Sequence, residues 1–214
     1  MNRNEKFVIT INRELGSGGR TVGELLAKRL GVPLYDKALI QGLQDKYNLS
    51  VDEIERLKGR SHSWWSEFKR AMTIGLTTTQ NYVQHGIVEE PDLLVTDDIY
   101  ESEVEILKGI AESESCVITG RTAFHVLRRH PNHVSILIQA PIDQRIARLV
   151  RKRGISQEDA LDIIERVDKE RENYVKRYTG TSRYDTRNYD LVISIAEHTE
   201  DEVVELIMNY IEHH

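Results

Sequence analysis

Five short apolar runs punctuate the chain: Phe7 to Ile11, Val32 to Tyr35, Cys116 to Thr119, Val134 to Ile138 and Leu191 to Ile195. Each is a near-continuous stretch of Val, Ile and Leu without polar alternation, the pattern of strands covered on both faces. Between the runs, apolar positions recur at helical spacing. Three of these segments carry a start signal at capping-box spacing, namely Ser50 with Glu53, Ser156 with Asp159 and Thr199 with Glu202. Strands that alternate with helices predict a doubly wound α/β fold, a five-stranded parallel sheet wrapped by helices. The rhythm breaks between Lys37 and Glu114, where helical patterning continues without a convincing strand. We therefore expect one domain over residues 1–214 with a helical lobe inserted at 37–114.

Composition narrows the classes. The chain has 214 residues and a formal charge of −6, with 39% hydrophobic and 30% charged residues. That balance fits a folded, water-soluble protein and not a disordered one. An acidic surplus argues against nucleic acid as the main partner, because duplex binders carry basic surfaces. Cys116 is the sole cysteine, so no intrachain disulfide can form. The first fifteen residues lack an apolar signal core, and no apolar run reaches the roughly 18–20 residues of a membrane span. The expectation is a cytoplasmic protein without membrane contact.

The candidate chemistry starts where the first strand ends. Asn12-Arg13-Glu14-Leu15 leads into Gly16-Ser17-Gly18-Gly19-Arg20-Thr21, which opens a helix from Val22 to Leu30 whose apolar face is Val22, Leu25, Leu26 and Leu30. Gly31 supplies a stop and Pro33 prevents continuation. A strand, a glycine turn and a helix N-terminus converge backbone N–H groups on one point, which suits a phosphate. Gly16, Ser17, Gly18, Gly19, Arg20 and Thr21 are accordingly the candidate phosphate-binding residues. Against the phosphate-loop pattern G-x-x-x-x-G-K-[ST], Arg13 stands at the first glycine, Gly19 at the lysine and Arg20 at the hydroxyl position. Arg20 is the expected substitute cation, one helical residue late and therefore turned by about 100°. On this reading a lysine is tolerated at Gly19. Thr21 and Ser17 are the hydroxyls available to magnesium, although neither occupies the usual place.

VITINRELGSGGRTVGELLAKRLGVPLYDK resembles the opening of cytidylate kinase, and more closely that of its divergent relatives, the cytidylate kinase-like proteins. Gly120-Arg121, Ala140-Pro141 with Arg145, and Tyr189-Asp190-Leu191 follow in the order the family requires. The resemblance implies a P-loop NTPase-type fold with a helical lid over 143–187 and an acceptor-side lobe at 37–114. It implies ATP and Mg²⁺ as cofactors, a nucleotide and a small-molecule acceptor as partners, and phosphoryl transfer to a CMP-like nucleoside monophosphate or another small acceptor. Asp36 stands where the family contacts the nucleoside acceptor, and as a bare residue it also suits a helix N-cap. Arg121 stands where an arginine grips the acceptor phosphate. The family's aspartate after it is Thr122 here.

The segment DQRIARLVRKRG, from Asp143 to Gly154, carries a cationic stripe. Its C-terminal charges suit the helix dipole, whereas Arg145 near the start does not. The resemblance gives Arg145 the role of stabilising the transferring phosphoryl group. Arg171 shares the next helix's apolar face with Ala160, Ile163, Ile164 and Val167, and a cation there needs a partner. Asp168, one turn earlier, supplies one, and the resemblance places Arg171 over the ATP phosphates. Arg145, Arg171 and Asp168 form the expected catalytic set. The family's serine and arginine in this stretch are Glu172 and Tyr174 here. Arg183 and Arg187 receive no role. Trp64-Trp65, with Phe68 and Met72, reads as core or homodimer contact before base stacking. The eight histidines show no metalloprotease-type ligand spacing. An ATP-dependent phosphotransferase leads. The alternatives are a catalytically inactive nucleotide- or phosphometabolite-binding module and an interaction protein built on the helical lobe.

Overall fold

The computed structural model describes residues 1–37, 40 and 97–213. Five strands form one all-parallel sheet: β1 (Val8–Arg13), β2 (Leu34–Asp36), β3 (Cys116–Thr119), β4 (His133–Gln139) and β5 (Leu191–Ser194), in the order β2-β3-β1-β4-β5. These are the five apolar runs, with Cys116–Thr119 unchanged and the other ends shifted by at most two residues. Helices α1 (Gly19–Leu30), α2 (Asp97–Ser113), α3 (Ala123–Val126), α4 (Ile142–Arg153), α5 (Gln157–Thr179) and α6 (Glu200–His213) connect and flank them. Most of the lobe expected at 37–114, including Ser50, Glu53, Trp64, Trp65, Phe68 and Met72, lies outside the described residues.

Central strand β1 explains the two-sided sheet. Val8 joins a core with Ile106 and Ile110 of α2 and with Ala123 and Leu127. Ile9 and Ile11 face the other way, onto Val22 and Leu26 of α1 and Val203, Ile207 and Ile211 of α6. All five residues Val8 to Asn12 are buried. Strand β5 departs from the expectation of full cover. It is an edge strand, with Val192 exposed between partly buried neighbours.

The helix signals act through identifiable bonds. The Ser156 hydroxyl accepts from the Asp159 N–H at 3.0 Å. Thr199 and Glu202 cap each other reciprocally at 2.8 and 3.2 Å. Gly31, Gly154 and Gly180 end α1, α4 and α5 in the left-handed conformation that glycine adopts at low cost. No helix among the described residues is long and apolar enough to cross a membrane.

Topology places the functional region. From β1 the chain moves outward to β2, and from β3 it moves the opposite way to β4, so the crevice outside the carboxyl ends of β1 and β3 is the sheet's switch point. The glycine loop and Gly120-Arg121 both emerge there. At the opposite end of β4, His133 Nε2 and Thr10 Oγ1 are 2.8 Å apart. Burial lowers the His133 imidazole to about 4, against a smaller upward pull from Asp190. The unfolded chain takes up this proton near its ordinary value, while the folded chain resists it down to about 4. Stability is therefore full above about pH 6.5 and declines between there and pH 4, by up to about 3 kcal/mol. Urea unfolding across that window should show the slope in the wild type and a flatter profile in His133→Gln. Identical slopes would place the titration elsewhere.

Candidate active site

The loop after β1 is shaped by its glycines. Gly16 and Gly18 take φ values of +81° and +86°, open to glycine and strained for other residues. A Cβ at Gly16 would stand 2.9 Å from the Arg145 carbonyl oxygen, and one at Gly18 would stand 2.9 Å from Arg148 Nη2. Within the turn, the Glu14 carbonyl accepts from the Ser17 N–H at 3.2 Å and from the Ser17 hydroxyl at 2.9 Å. That hydroxyl accepts in turn from the Gly19 N–H at 3.3 Å, so Ser17, fully buried, is spent inside the loop. The Arg20 and Thr21 N–H groups, in the first turn of α1, have no intrahelical acceptor. Gly18, the N-cap, brings no side chain to cover them.

Two helices hold this loop from outside. The Leu15 side chain packs with Leu149, Ala160, Ile164 and Val167 of α4 and α5. Both polar groups of its backbone are bound by side chains: the N–H donates to Asp168 Oδ1 at 3.1 Å, and the carbonyl accepts from Arg145 Nε at 2.8 Å. Arg145 Nη2 donates to Asp168 Oδ2, and Nη1 stands 3.5 Å from Glu14 Oε1. Glu14 Oε2 also accepts from the Ala140 N–H at 3.1 Å. All three guanidinium nitrogens of Arg145 thus face the loop or the carboxylates around it.

Asp168 gathers further cations. Arg171 Nη1 and Arg183 Nη1 each lie 3.6 Å from Oδ1. The Arg13 carbonyl accepts from Arg183 Nη2, and from Arg171 Nη1 at 3.4 Å. Arg183 is 1% exposed, and burial together with neighbouring Arg171 pushes its guanidinium below the ordinary value. Glu172 accepts from the Arg183 N–H at 3.0 Å.

The acceptor side is also structured. Arg121 takes φ +54°, and its side chain turns inward, with Nε 3.2 Å from Glu103 Oε2 and the guanidinium carbon 5.4 Å from the centre of the Tyr174 ring. Glu103, fully buried on α2, accepts from the Tyr174 hydroxyl at 3.0 Å. At the end of β2, Asp36 pairs with Arg20 Nη2 at 3.3 Å, while Arg20 Nε reaches Glu24 at 3.1 Å.

The family's sequence model matches this chain over residues 8–197, and that family is the cytidylate kinase-like family. The chain is a member of it. This cytidylate kinase-like protein is 24% identical over 208 residues to a cytidylate kinase of Sulfolobus acidocaldarius, covering 95% of this chain and 93% of the relative. It superposes on the crystal structure of an uncharacterized protein from Eubacterium ventriosum with a TM-score of 0.71 and 26% identity, covering 98% of this chain and all of that one. A shikimate kinase from Bacteroides thetaiotaomicron matches with a TM-score of 0.50 and 14% identity over 96% and 98% of the two chains, which shows the shared fold alone. The parallel sheet and its flanking helices are thus a P-loop kinase fold.

In this cytidylate kinase-like chain the residues singled out in the sequence fall into three groups. Gly16 to Thr21 form one turn at the crevice. Arg145, Asp168 and Arg171 meet beneath it. Asp36 is linked to the loop through Arg20, and Arg121 lies against Glu103 and Tyr174. Lysine at Gly19 meets an obstacle that the motif did not show, because a Cβ there would stand 2.5 Å from Arg13 Cβ. Sequence reasoning left out Glu14, Glu103 and Arg183. Glu103 shares a helical stripe with Ile106 and Ile110, a carboxylate on an apolar face, which was a usable signal. The segment around Arg183 has no periodicity and gave none.

No group of three or more potential metal ligands occurs among the described residues. With the Ser17 hydroxyl spent inside the turn, Thr21 carries the other hydroxyl of the loop. The central carboxylate offers a direct check. Asp168→Ala leaves Arg145 and Arg183 buried without their shared counter-charge and frees the Leu15 N–H. Urea unfolding should show a loss of about 3–5 kcal/mol. A loss within about 1 kcal/mol, as for an exposed pair, would show that the cluster does not hold the loop.

Proposed function

We propose that this protein is an ATP-dependent phosphotransferase that moves the γ-phosphoryl group of ATP to a nucleoside monophosphate, CMP-like, or to another small acceptor. The observation that carries this reading is the turn from Gly16 to Thr21, with two left-handed glycines and an uncapped helix N-terminus at the switch point of a P-loop kinase sheet. Such a turn binds anions through backbone N–H groups and the positive end of the helix dipole. The relative from Sulfolobus acidocaldarius, a cytidylate kinase, supports the nucleotide class.

On this reading the ATP phosphates lie on Gly16, Ser17, Gly18, Gly19, Arg20 and Thr21, and Thr21 helps to hold magnesium. The acceptor lies between Asp36 and Arg121, and Arg20 joins the two sides through its pair with Asp36. Arg171, with about a fifth of its side chain exposed, is the arginine of the Asp168 cluster best placed to meet the transferring group. Arg145 and Asp168 act through the loop they hold. Phosphoryl transfer needs positioning and charge neutralisation more than covalent chemistry, so a site rich in arginine suffices.

The alternative is a nucleotide- or phosphometabolite-binding module without turnover, favoured by the absence of the usual lysine and hydroxyl at Gly19 and Arg20. ADP release from ATP and Mg²⁺ against a panel of nucleoside monophosphates separates the two. Turnover with one acceptor, reduced about 10³-fold or more in Arg171→Ala, is the expected result. ATP-induced thermal stabilisation with no turnover on any acceptor would favour the binding module. No thermal shift at all would overturn the phosphate site.

A further inference from the structure

The loop lacks a lysine where the phosphate-loop pattern has one, yet the space beside Gly19 is filled. A Cβ on Gly19 would stand 2.5 Å from Arg13 Cβ and 3.2 Å from Arg13 Cγ. Real Cβ atoms do not approach so closely, so positions 13 and 19 exclude each other across the mouth of the loop and only one can carry a side chain. In G-x-x-x-x-G-K-[ST] the glycine comes first and the cation sixth after it. Here the order is reversed, with arginine at 13 and glycine at 19.

The rest of the Arg13 side chain continues across the crevice. A Cβ on Gly120, at the carboxyl end of β3, would run into Arg13 Nη1. The arginine therefore starts beside the N-terminus of α1 and ends over Gly120, spanning the switch point between β1 and β3. Its backbone is fixed as well, because its carbonyl accepts from both Arg183 and Arg171. Its neighbour Glu14 is tied to β4, donating its N–H to the Ile138 carbonyl at 3.1 Å. A side chain whose root is held from three directions needs little reordering to meet a ligand.

We propose that Arg13 supplies the phosphate-contacting cation of this loop, taking over from the β1 side the task that a lysine performs from the helix side. The assignment rests on the phosphate-site reading given above. It gives both glycines a reason: Gly19 leaves room for the root of Arg13, and Gly120 leaves room for its guanidinium. It also changes the chemistry. A guanidinium offers a planar fork of donors that can grip two phosphate oxygens at once, whereas an ammonium is a point charge. Arg20, turned to Glu24 and Asp36, is left to the acceptor side.

An exchange of residues tests this. Arg13→Gly, Gly19→Lys, the double variant R13G/G19K and Arg13→Lys would be compared by calorimetric titration with MgATP and by urea unfolding without nucleotide. The expected result for Arg13→Gly is an affinity loss of about tenfold or more with little change in the urea midpoint. Gly19→Lys alone should lower the urea midpoint, because both side chains compete for one space. The double variant should recover affinity to within about threefold of wild type, since the cation returns by the other route. Arg13→Lys should recover less than the double variant, because the shorter point charge starts from the wrong side.

Wild-type affinity in Arg13→Gly would overturn the role of Arg13 and leave the phosphate site standing. No MgATP binding by the wild type would overturn both. If Arg13→Gly fails to fold, Arg13→Met, which keeps the bulk beside Gly19 and removes the charge, decides: folded with affinity lost about tenfold or more supports the role of Arg13, and folded with wild-type affinity shows that Arg13 only fills space.

Discussion

The Leu15 peptide carries more of this structure than its size suggests. Its N–H is taken by Asp168 and its carbonyl by Arg145, so one residue of the glycine loop is held by side chains from both helices of the α4–α5 hairpin. A loop built from glycines has little stiffness of its own, since glycine loses the most conformational freedom on ordering. The stiffness comes from the buried ion cluster beneath it and from Leu15 packing on Leu149, Ile164 and Val167. Buried cations are costly unless paired, and Asp168 serves two of them, Arg145 and Arg183, along with the partly exposed Arg171. Loop shape and cluster integrity are consequently a single property.

The same cluster concentrates arginine at the crevice. Arg145, Arg171 and Arg183 converge on Asp168, Arg145 also meets Glu14, and Arg183 and Arg171 both donate to the Arg13 carbonyl. On the proposed reading, an anion delivered at the switch point meets donors already fixed in place, which is the electrostatic preorganisation that phosphoryl transfer exploits. On that reading its donors are of two kinds, backbone N–H groups at the start of α1 and guanidinium groups rooted on β1 and α5.

Much of the fold was legible because it follows from one-dimensional signals. Continuous apolar runs gave the strands, and Ser156, Thr199 and Gly31 marked helix ends through bonds that neighbouring residues complete. Strand β5 was over-read as fully covered, because a short apolar run does not reveal whether a strand sits at an edge. The glycine turn was legible for the same local reason. Asp168 beside Arg171 was legible at helical spacing, but the partners of Arg145 were not, because its bond to Leu15 spans 130 residues and its pair with Asp168 joins two helices. Charge type can be read from a sequence, but which carboxylate a cation meets is decided by packing. The motif spacing also concealed the steric conflict between positions 13 and 19, which shows itself only when the end of β1 and the start of α1 are brought together.

Helix α5 joins two places that the chain otherwise keeps apart. At its middle, Asp168 grips the Leu15 peptide, and six residues later Tyr174 donates to Glu103, the carboxylate that also holds Arg121. Those six residues are less than two turns of one continuous helix. The helix therefore works as a lever resting on the glycine loop, with its far arm against the strand-end arginine. A tilt that loosens one grip is transmitted along a rigid rod to the other, so the two walls of the crevice share one mechanical element.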